Sequence, residues 1–321
     1  MTGVVPTPQD FNQVSIIGAG TMGHGLALVH AIAGCRTKLF DIDAARLASA
    51  HEMITGALAT LVETGAVAED ATAVLQRIDY VSTLESACGE TSLIIEAVVE
   101  NADLKRDLYA AIDQCAPPDA VLASNTSFLD PFPLIPVRRA SKALVTHWYT
   151  PPYIVDLVDI VPGPACDPAL VERLATFYEQ AGKVPLRLPT LVPGYIANRI
   201  QGALNLECLR IIEEGWADAA QIDLAVQHGL AARLLLLGHM RKMDFTGLEM
   251  IRNGLATRTY QPPEATGHSA VLDAMISGGR LGIVSGAGFY DYPNDEPEQL
   301  LRQRDKDLLH LKAYLQGRRQ N

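Results

Sequence analysis

The chain has 321 residues, 48% hydrophobic and 20% charged, enough for two globular cores at ~100–200 residues each. Its 37 acidic residues outnumber 26 basic ones for a net charge of −11, and no basic patch breaks that field, which excludes nucleic acid and anionic membrane as expected partners. No apolar run approaches the ~20 residues of a membrane span, and the opening MTGVVPTPQDFN has neither the basic start nor the apolar core of a signal peptide, so a soluble, cytoplasmic protein is expected.

Short β-branched runs at 14–17, 38–40, 92–97, 120–124 and 143–148 are separated by helical stretches such as 22–33 and 103–115. Strands alternating with helices predict an α/β, Rossmann-like doubly wound parallel sheet covered on both faces. Residues 44–74 are rich in alanine and leucine and predict a helical insertion of one or two helices. After VPLRLPTLVPG (184–194) the strand signal fades. Apolar residues then recur at helical spacing from 195 to 214, with more helix-like sequence to 256 and an amphipathic helix over 296–317. The expected domains are 1–189, doubly wound with its insertion, and 190–321, all-helical.

Between the first two strands stands SIIGAGTMGHGLALVHAIAGCRTKLFDID (15–43). Gly18, Gly20 and Gly23 form G-x-G-x-x-G directly after a strand and at the head of a helix, the context that gives the motif meaning. The first glycine permits the tight turn, the second lets backbone approach a pyrophosphate, and the third lets helix and strand pack closely. The helix N-terminus attracts the phosphate charge. Thr21 and Met22 in the loop, and Ala97 at the end of the 92–97 strand, join them as expected cofactor contacts. Asp41 ends the second strand 23 positions after Gly18, where a carboxylate accepts hydrogen bonds from the adenosine ribose and repels a 2′-phosphate. NAD rather than NADP is the expected cofactor. Arg46 dissents, as a residue able to meet a 2′-phosphate, though a solvated helix face suits it better.

Downstream lie SNTS (124–127), THWYTPPYIVDLVDIVPG (146–163) and PGYIANR (193–199). Together with GAGTMGHG, EAVVEN (96–101) and GAGFYDY (286–292), these blocks resemble the 3-hydroxyacyl-CoA dehydrogenase family in order and spacing, over about residues 13–292. The residues support such chemistry. Oxidising a secondary alcohol with NAD needs a base for the hydroxyl proton while hydride leaves carbon, and an imidazole suits neutral pH. His147 is the candidate base. Asp159, twelve residues on, is the candidate that orients the ring and stabilises the imidazolium, once Pro151 and Pro152 have turned the chain back into a pairing strand. The resemblance places glutamate at this position, so the pair must sit closer or the contact weakens.

The resemblance further implies that Ser127 hydrogen-bonds the reacting oxygen, that Asn198 completes the polar cage from the second domain, and that Glu100, Lys105 and Asn125 stand around the cofactor. Taken singly, the histidine also fits a satisfied core residue and the asparagine an ordinary helix start. Trp148 and Tyr149 fit core packing better than a substrate platform. The other histidines show no ligand spacing, and the five cysteines lie far apart, so free thiols and no metal are expected.

Three departures from the family pattern bear on function. Thr150 stands where asparagine is usual before the first proline, and Val284 where lysine is common before the C-terminal GFY, which removes two expected cofactor contacts. Acyl-CoA members resemble one another in a lysine-bearing insertion that meets the CoA phosphates, whereas here no lysine occurs between Lys38 and Lys105 and only Arg46 and Arg77 are basic. The stretch HGLAARLLLLGHMRKMDFTGLEM (228–250) is more similar to the branches acting on free acids, the carnitine, gulonate and pyridine-carboxylate dehydrogenases. Arg233 then becomes the candidate clamp for a substrate carboxylate, because a guanidinium offers bidentate geometry; Arg241 and Lys242 are its rivals.

The expected activity is NAD-dependent oxidation of a 3-hydroxy acid to the 3-oxo acid by a homodimer joined through the second domain. One alternative is the same reaction on the 3-hydroxyacyl-CoA thioester. Another is an NADH-binding protein without turnover, since lens crystallins have been recruited from this family. The 6-phosphogluconate and 3-hydroxyisobutyrate type resembles a lysine-based catalyst, and PGYIANRIQGALNLE (193–207) has no lysine.

Overall fold

The computed structural model describes residues 10–293 and 296–319. The first nine residues, part of the stretch read for a leader, lie outside them. Two compact units divide the chain, Met1–Tyr195 with Leu301–Asn321, and Ile196–Leu300.

The first unit is built on eight strands: β1 (Gln13–Ile17), β2 (Arg36–Phe40), β3 (Ile78–Val81), β4 (Leu93–Glu96), β5 (Val121–Ser124), β6 (Ala143–Trp148), β7 (Leu157–Pro162) and β8 (Val184–Arg187). They lie in the order β3-β2-β1-β4-β5-β6-β7-β8. Every neighbouring pair is parallel except β6 and β7. Around them run α1 (Gly23–Ile32), α2 (Ala44–Glu63), α3 (Ala71–Leu75), α4 (Leu84–Cys88), α5 (Ala102–Cys115) and α6 (Pro168–Gln180).

Alternation along each strand divides the core between the two faces. Ile16 and Ile95 join Leu26 and Leu28 of α1 on one side, while Ile17 and Ile94 join Tyr109 and Ile112 of α5 on the other. Covered on both faces, β4 and β5 are buried at every position, as parallel strands require. The insertion is two helices, α2 and α3. Asp43 caps α2 by accepting from the Ala45 N–H, and Asn101 caps α5 by accepting from the Leu104 N–H.

The second unit contains α7 (Ala197–Glu213), α8 (Ala219–Leu224), a π-helical stretch (Ala225–Ala231), α9 (Ala232–Leu237), α10 (His239–Thr246), α11 (Leu248–Thr257) and α12 (Ala270–Ser277). The last element among the described residues is α13 (Pro297–Arg319). The sequence reading assigned this last helix to a domain spanning 190–321, but from Leu301 it belongs to the first unit. Leu309 enters the core there, Arg302 and Lys306 pair with Glu63 of α2, and Tyr153 donates to Asp305. The leucine stripe signals a buried face without naming the surface that buries it.

His30 on α1 is 1% exposed, enclosed by Trp148, Phe177 and Tyr178. Burial pushes its imidazole down to about 4, against the Leu26 carbonyl that favours the charged form. The folded chain therefore refuses a proton that the unfolded chain accepts below about 6.5. Stability is fully present above that pH and falls progressively toward pH 4, by roughly 3 kcal/mol from this group alone. Denaturant melts across this window should show a shallower decline in His30→Phe than in wild type; parallel declines would remove His30 as the cause.

Candidate active site

The glycine loop connects β1 to α1 and closes against β4. Gly18 has φ +106° and a side chain there would meet the Ala97 carbonyl at 2.7 Å, while one at Gly23 would overlap the Gly18 carbonyl. Only hydrogen fits at either position. Gly20 differs, because a side chain there would meet no protein atom within 4 Å. That open space before the uncapped first turn of α1 is the room a pyrophosphate needs beside free helix N–H groups. Thr21 is exposed and Met22 half-buried, and the Thr150 hydroxyl donates to the Met22 sulfur at 3.1 Å, so the departure at Thr150 stands beside the loop. His24 is the second residue of α1, where burial lowers its imidazole below the ordinary value, opposed by a hydrogen bond to the Gly20 carbonyl.

Asp41 is 9% exposed and its oxygens accept from the Ala19 N–H at 2.8 Å and the Asp43 N–H at 3.0 Å. Those bonds fix the carboxylate at the end of β2 beside the glycine loop, where it can take a ribose hydroxyl. Arg46, the dissenting cation, is exposed and 3.9 Å from Asp43. Asp41→Ala should weaken NADH binding by about 1–3 kcal/mol, the cost of losing hydrogen bonds to a charged group, and narrow the preference over NADPH. Equal affinity of the wild-type chain for the two nucleotides in a fluorescence titration would contradict this role.

A buried charge cluster joins this loop to the next. Glu96 ends β4 fully buried and accepts from Lys105 Nζ at 2.9 and 3.0 Å, Tyr109 at 2.7 Å, Ser124 at 2.7 Å and the Val98 N–H at 2.8 Å. Lys105 is 1% exposed, and its ammonium also reaches Glu100 at 3.1 Å. It thus faces the interior, paired with Glu96 and Glu100. Glu100 in turn accepts from the Thr126 hydroxyl at 2.8 Å and the Ser127 N–H at 2.6 Å. Burial works against its ionisation, but those bonds and Lys105 outweigh it and hold the carboxyl below its ordinary range. The consequence is a fixed loop carrying Ser127.

The antiparallel β6–β7 pair sets His147 directly opposite Asp159. Directly opposed residues have Cβ atoms only ~4.5–5.5 Å apart, so the short aspartate suffices. His147 Nδ1 lies 3.1 Å from Asp159 Oδ2, and both residues are buried. On the other side, His147 Nε2 lies 3.3 Å from the Ser127 hydroxyl. With the proton on Nδ1 directed at the carboxylate, Nε2 presents its lone pair toward Ser127. Asn125 ties the two strand ends together by accepting from the Trp148 N–H at 2.9 Å.

Two tyrosines that sequence reasoning missed complete this site. Tyr149 was expected in core packing, yet its hydroxyl donates to Asp159 Oδ2 at 2.6 Å. Strand alternation carries the signal, since residues two apart share a face. Tyr195 stacks on His147 with ring centroids 4.3 Å apart and 23° between planes, and donates to the Thr126 carbonyl at 2.6 Å. Its backbone is left-handed, φ 48°, a strained state for a bulky residue that the surrounding contacts must hold. Burial first, then the charges of Asp159, Glu100 and Asp130, push its phenol upward, so it remains a donor.

Asn198 and Arg233 belong to the second unit. Asn198 is half-buried in the first turn of α7. Arg233 is exposed on α9 and its guanidinium returns to the Gly229 carbonyl of the π-helical stretch. No group of three or more metal-binding side chains occurs among the described residues.

Residues 13–190 match the family model of the 3-hydroxyacyl-CoA dehydrogenase NAD-binding domain, and residues 194–292 match that of its C-terminal domain. An L-carnitine dehydrogenase of Streptomyces griseus is 33% identical over 246 residues, 75% of this chain and 72% of its own. Lambda-crystallin of Oryctolagus cuniculus is 30% identical over 317 residues, 94% of this chain and 97% of its own. Among solved structures, that of 5-formyl-3-hydroxy-2-methylpyridine 4-carboxylic acid 5-dehydrogenase, an NAD+-dependent dismutase, superposes with a TM-score of 0.86 at 25% identity, covering 96% of this chain and 99% of the other.

Proposed function

Because this chain belongs to the 3-hydroxyacyl-CoA dehydrogenase family, an NAD-dependent family acting on CH–OH groups, we propose that it oxidises a free 3-hydroxy acid to the 3-oxo acid, with His147 as base. The observation that carries this reading is the continuous chain Ser127, His147, Asp159, at 3.3 and 3.1 Å. NAD fits the glycine loop and Asp41 and, when bound, accepts the hydride from the carbinol carbon. The substrate hydroxyl donates its proton to His147 Nε2 while Ser127 hydrogen-bonds the same oxygen. Asp159 stabilises the imidazolium that results. Asn198 adds a polar contact to the reacting oxygen in this reading, and Arg233 takes the carboxylate.

The preference for a free acid over a CoA ester rests on charge. Of the two basic residues between Lys38 and Lys105, Arg77 is bound to Glu69 and Arg46 stands beside Asp43. Neither offers a free cationic patch to the several phosphates of CoA. Relatives named for carnitine and for a pyridine carboxylate support the same direction. Paired assays of free 3-hydroxy acids and their CoA esters should give the higher kcat/KM for a free acid, and a preference for the esters would return the protein to thioester chemistry.

The second unit supports a homodimer. Among its described residues only Gly288 is buried, and Ile200, Leu204, Leu234, Leu235 and Leu236 are all exposed. So much uncovered apolar surface on helices calls for a partner, and the second copy is the occupant we propose. Light scattering at micromolar concentration should give twice the chain mass; a monomer would contradict it. Five free cysteines support the proposed cytoplasmic setting.

A further inference from the structure

We propose that Tyr149 is a positioning residue for the base, acting through the carboxylate of Asp159 rather than by packing. Asp159 is fully buried, and its two oxygens are used unequally. Oδ2 receives both the Tyr149 hydroxyl at 2.6 Å and His147 Nδ1 at 3.1 Å. Oδ1 has no hydrogen-bond partner among the described residues. A carboxylate on so short a side chain, held by the imidazole alone, would be free to rotate about its terminal bond and exchange its oxygens. The phenol removes that freedom, because a short hydrogen bond to an ionised oxygen is the stronger of the two.

The same bond sets how strongly Asp159 holds a proton on the imidazole. Two donors share one oxygen, so the charge that Tyr149 neutralises is unavailable to the imidazolium. The tyrosine ring stands edge-on to His147, with centroids 4.7 Å apart and 81° between planes, while Tyr195 covers a face of the imidazole. Ring position is therefore enforced twice, and the bond from the Tyr149 hydroxyl acts on the orientation of the carboxylate. The charged groups around the imidazole are Asp159, bonded to Nδ1, and Glu100 behind the Ser127 loop, with Asp130 acting on the Tyr195 phenol stacked on it.

Tyr149→Phe keeps the ring and removes only the hydroxyl. It should lower kcat roughly 10–100-fold, the range for losing a hydrogen bond to a charged group, and leave NADH affinity unchanged. The ascending limb of the pH–kcat profile for oxidation should move to higher pH, since Asp159 freed of one donor holds the imidazolium more strongly. In an Asp159→Ala background the same substitution should change kcat by less than about twofold, because the acceptor of the hydroxyl has gone. An unchanged kcat and limb, or an equal loss in both backgrounds, would overturn the proposal. It rests on His147 being the base: near-normal turnover in His147→Gln would take both down, whereas an inactive His147→Gln beside a fully active Tyr149→Phe would remove the Tyr149 role alone.

Discussion

His147→Gln should lower kcat for alcohol oxidation by roughly 10²–10⁴-fold, the usual share of a positioned general base, with NADH binding nearly intact. The separation follows from the structure. The proposed cofactor contacts are gathered on the glycine loop and Asp41, while His147 sits on β6 with its ring nitrogens toward Ser127 and Asp159. Asp159→Asn should also be strongly deleterious, because a neutral amide no longer stabilises the imidazolium and can present its NH₂ to Nδ1, reversing the tautomer that catalysis needs. Near-normal kcat in either variant would contradict the assignment.

Arg233→Met should reduce kcat/KM for a free hydroxy acid by about 1.5–3 kcal/mol, the range for losing hydrogen bonds to a charged group, mainly through KM. NADH affinity should not change. Arg233 follows the π-helical stretch Ala225–Ala231, and such wide turns often occur at functional sites. Arg241, the rival, lies 6.0 Å from the Phe245 ring centroid, and Arg241→Met serves as the control. If Arg241→Met shows the larger KM effect, the clamp is reassigned. Unchanged kinetics in Arg233→Met, together with robust turnover of a 3-hydroxyacyl-CoA, would remove the free-acid preference.

Much of the first unit is legible in the sequence because backbone sterics write it there. Gly18 and Gly23 are required by a left-handed turn and by a helix pressed against a carbonyl, constraints that only glycine meets. The proline pair after Thr150 announces the reversal that brings Asp159 opposite His147. The strands β3 and β8 were less legible: at the two edges of the sheet they are only partly buried, so neither carries the continuous apolar run of the equally short β4 and β5. Side-chain partnerships were the hardest to read. That Glu96 would gather Lys105, Tyr109 and Ser124 depends on three elements meeting at one point, and no local pattern records it. Tyr195 has a left-handed backbone more typical of glycine or asparagine, a choice sequence rules do not anticipate. The placement of α13 on the first unit depends on a complementary surface far away in the chain.

Deuterium transfer tests the central claim most directly. A free 3-hydroxy acid carrying deuterium on its carbinol carbon is incubated with NAD and the purified chain, and the reduced cofactor is examined by mass spectrometry. The predicted result is NADH that carries the label in wild type, with little labelled NADH in His147→Gln over the same time. No labelled NADH from any acid in a broad panel, or equal labelling by both proteins, would contradict it.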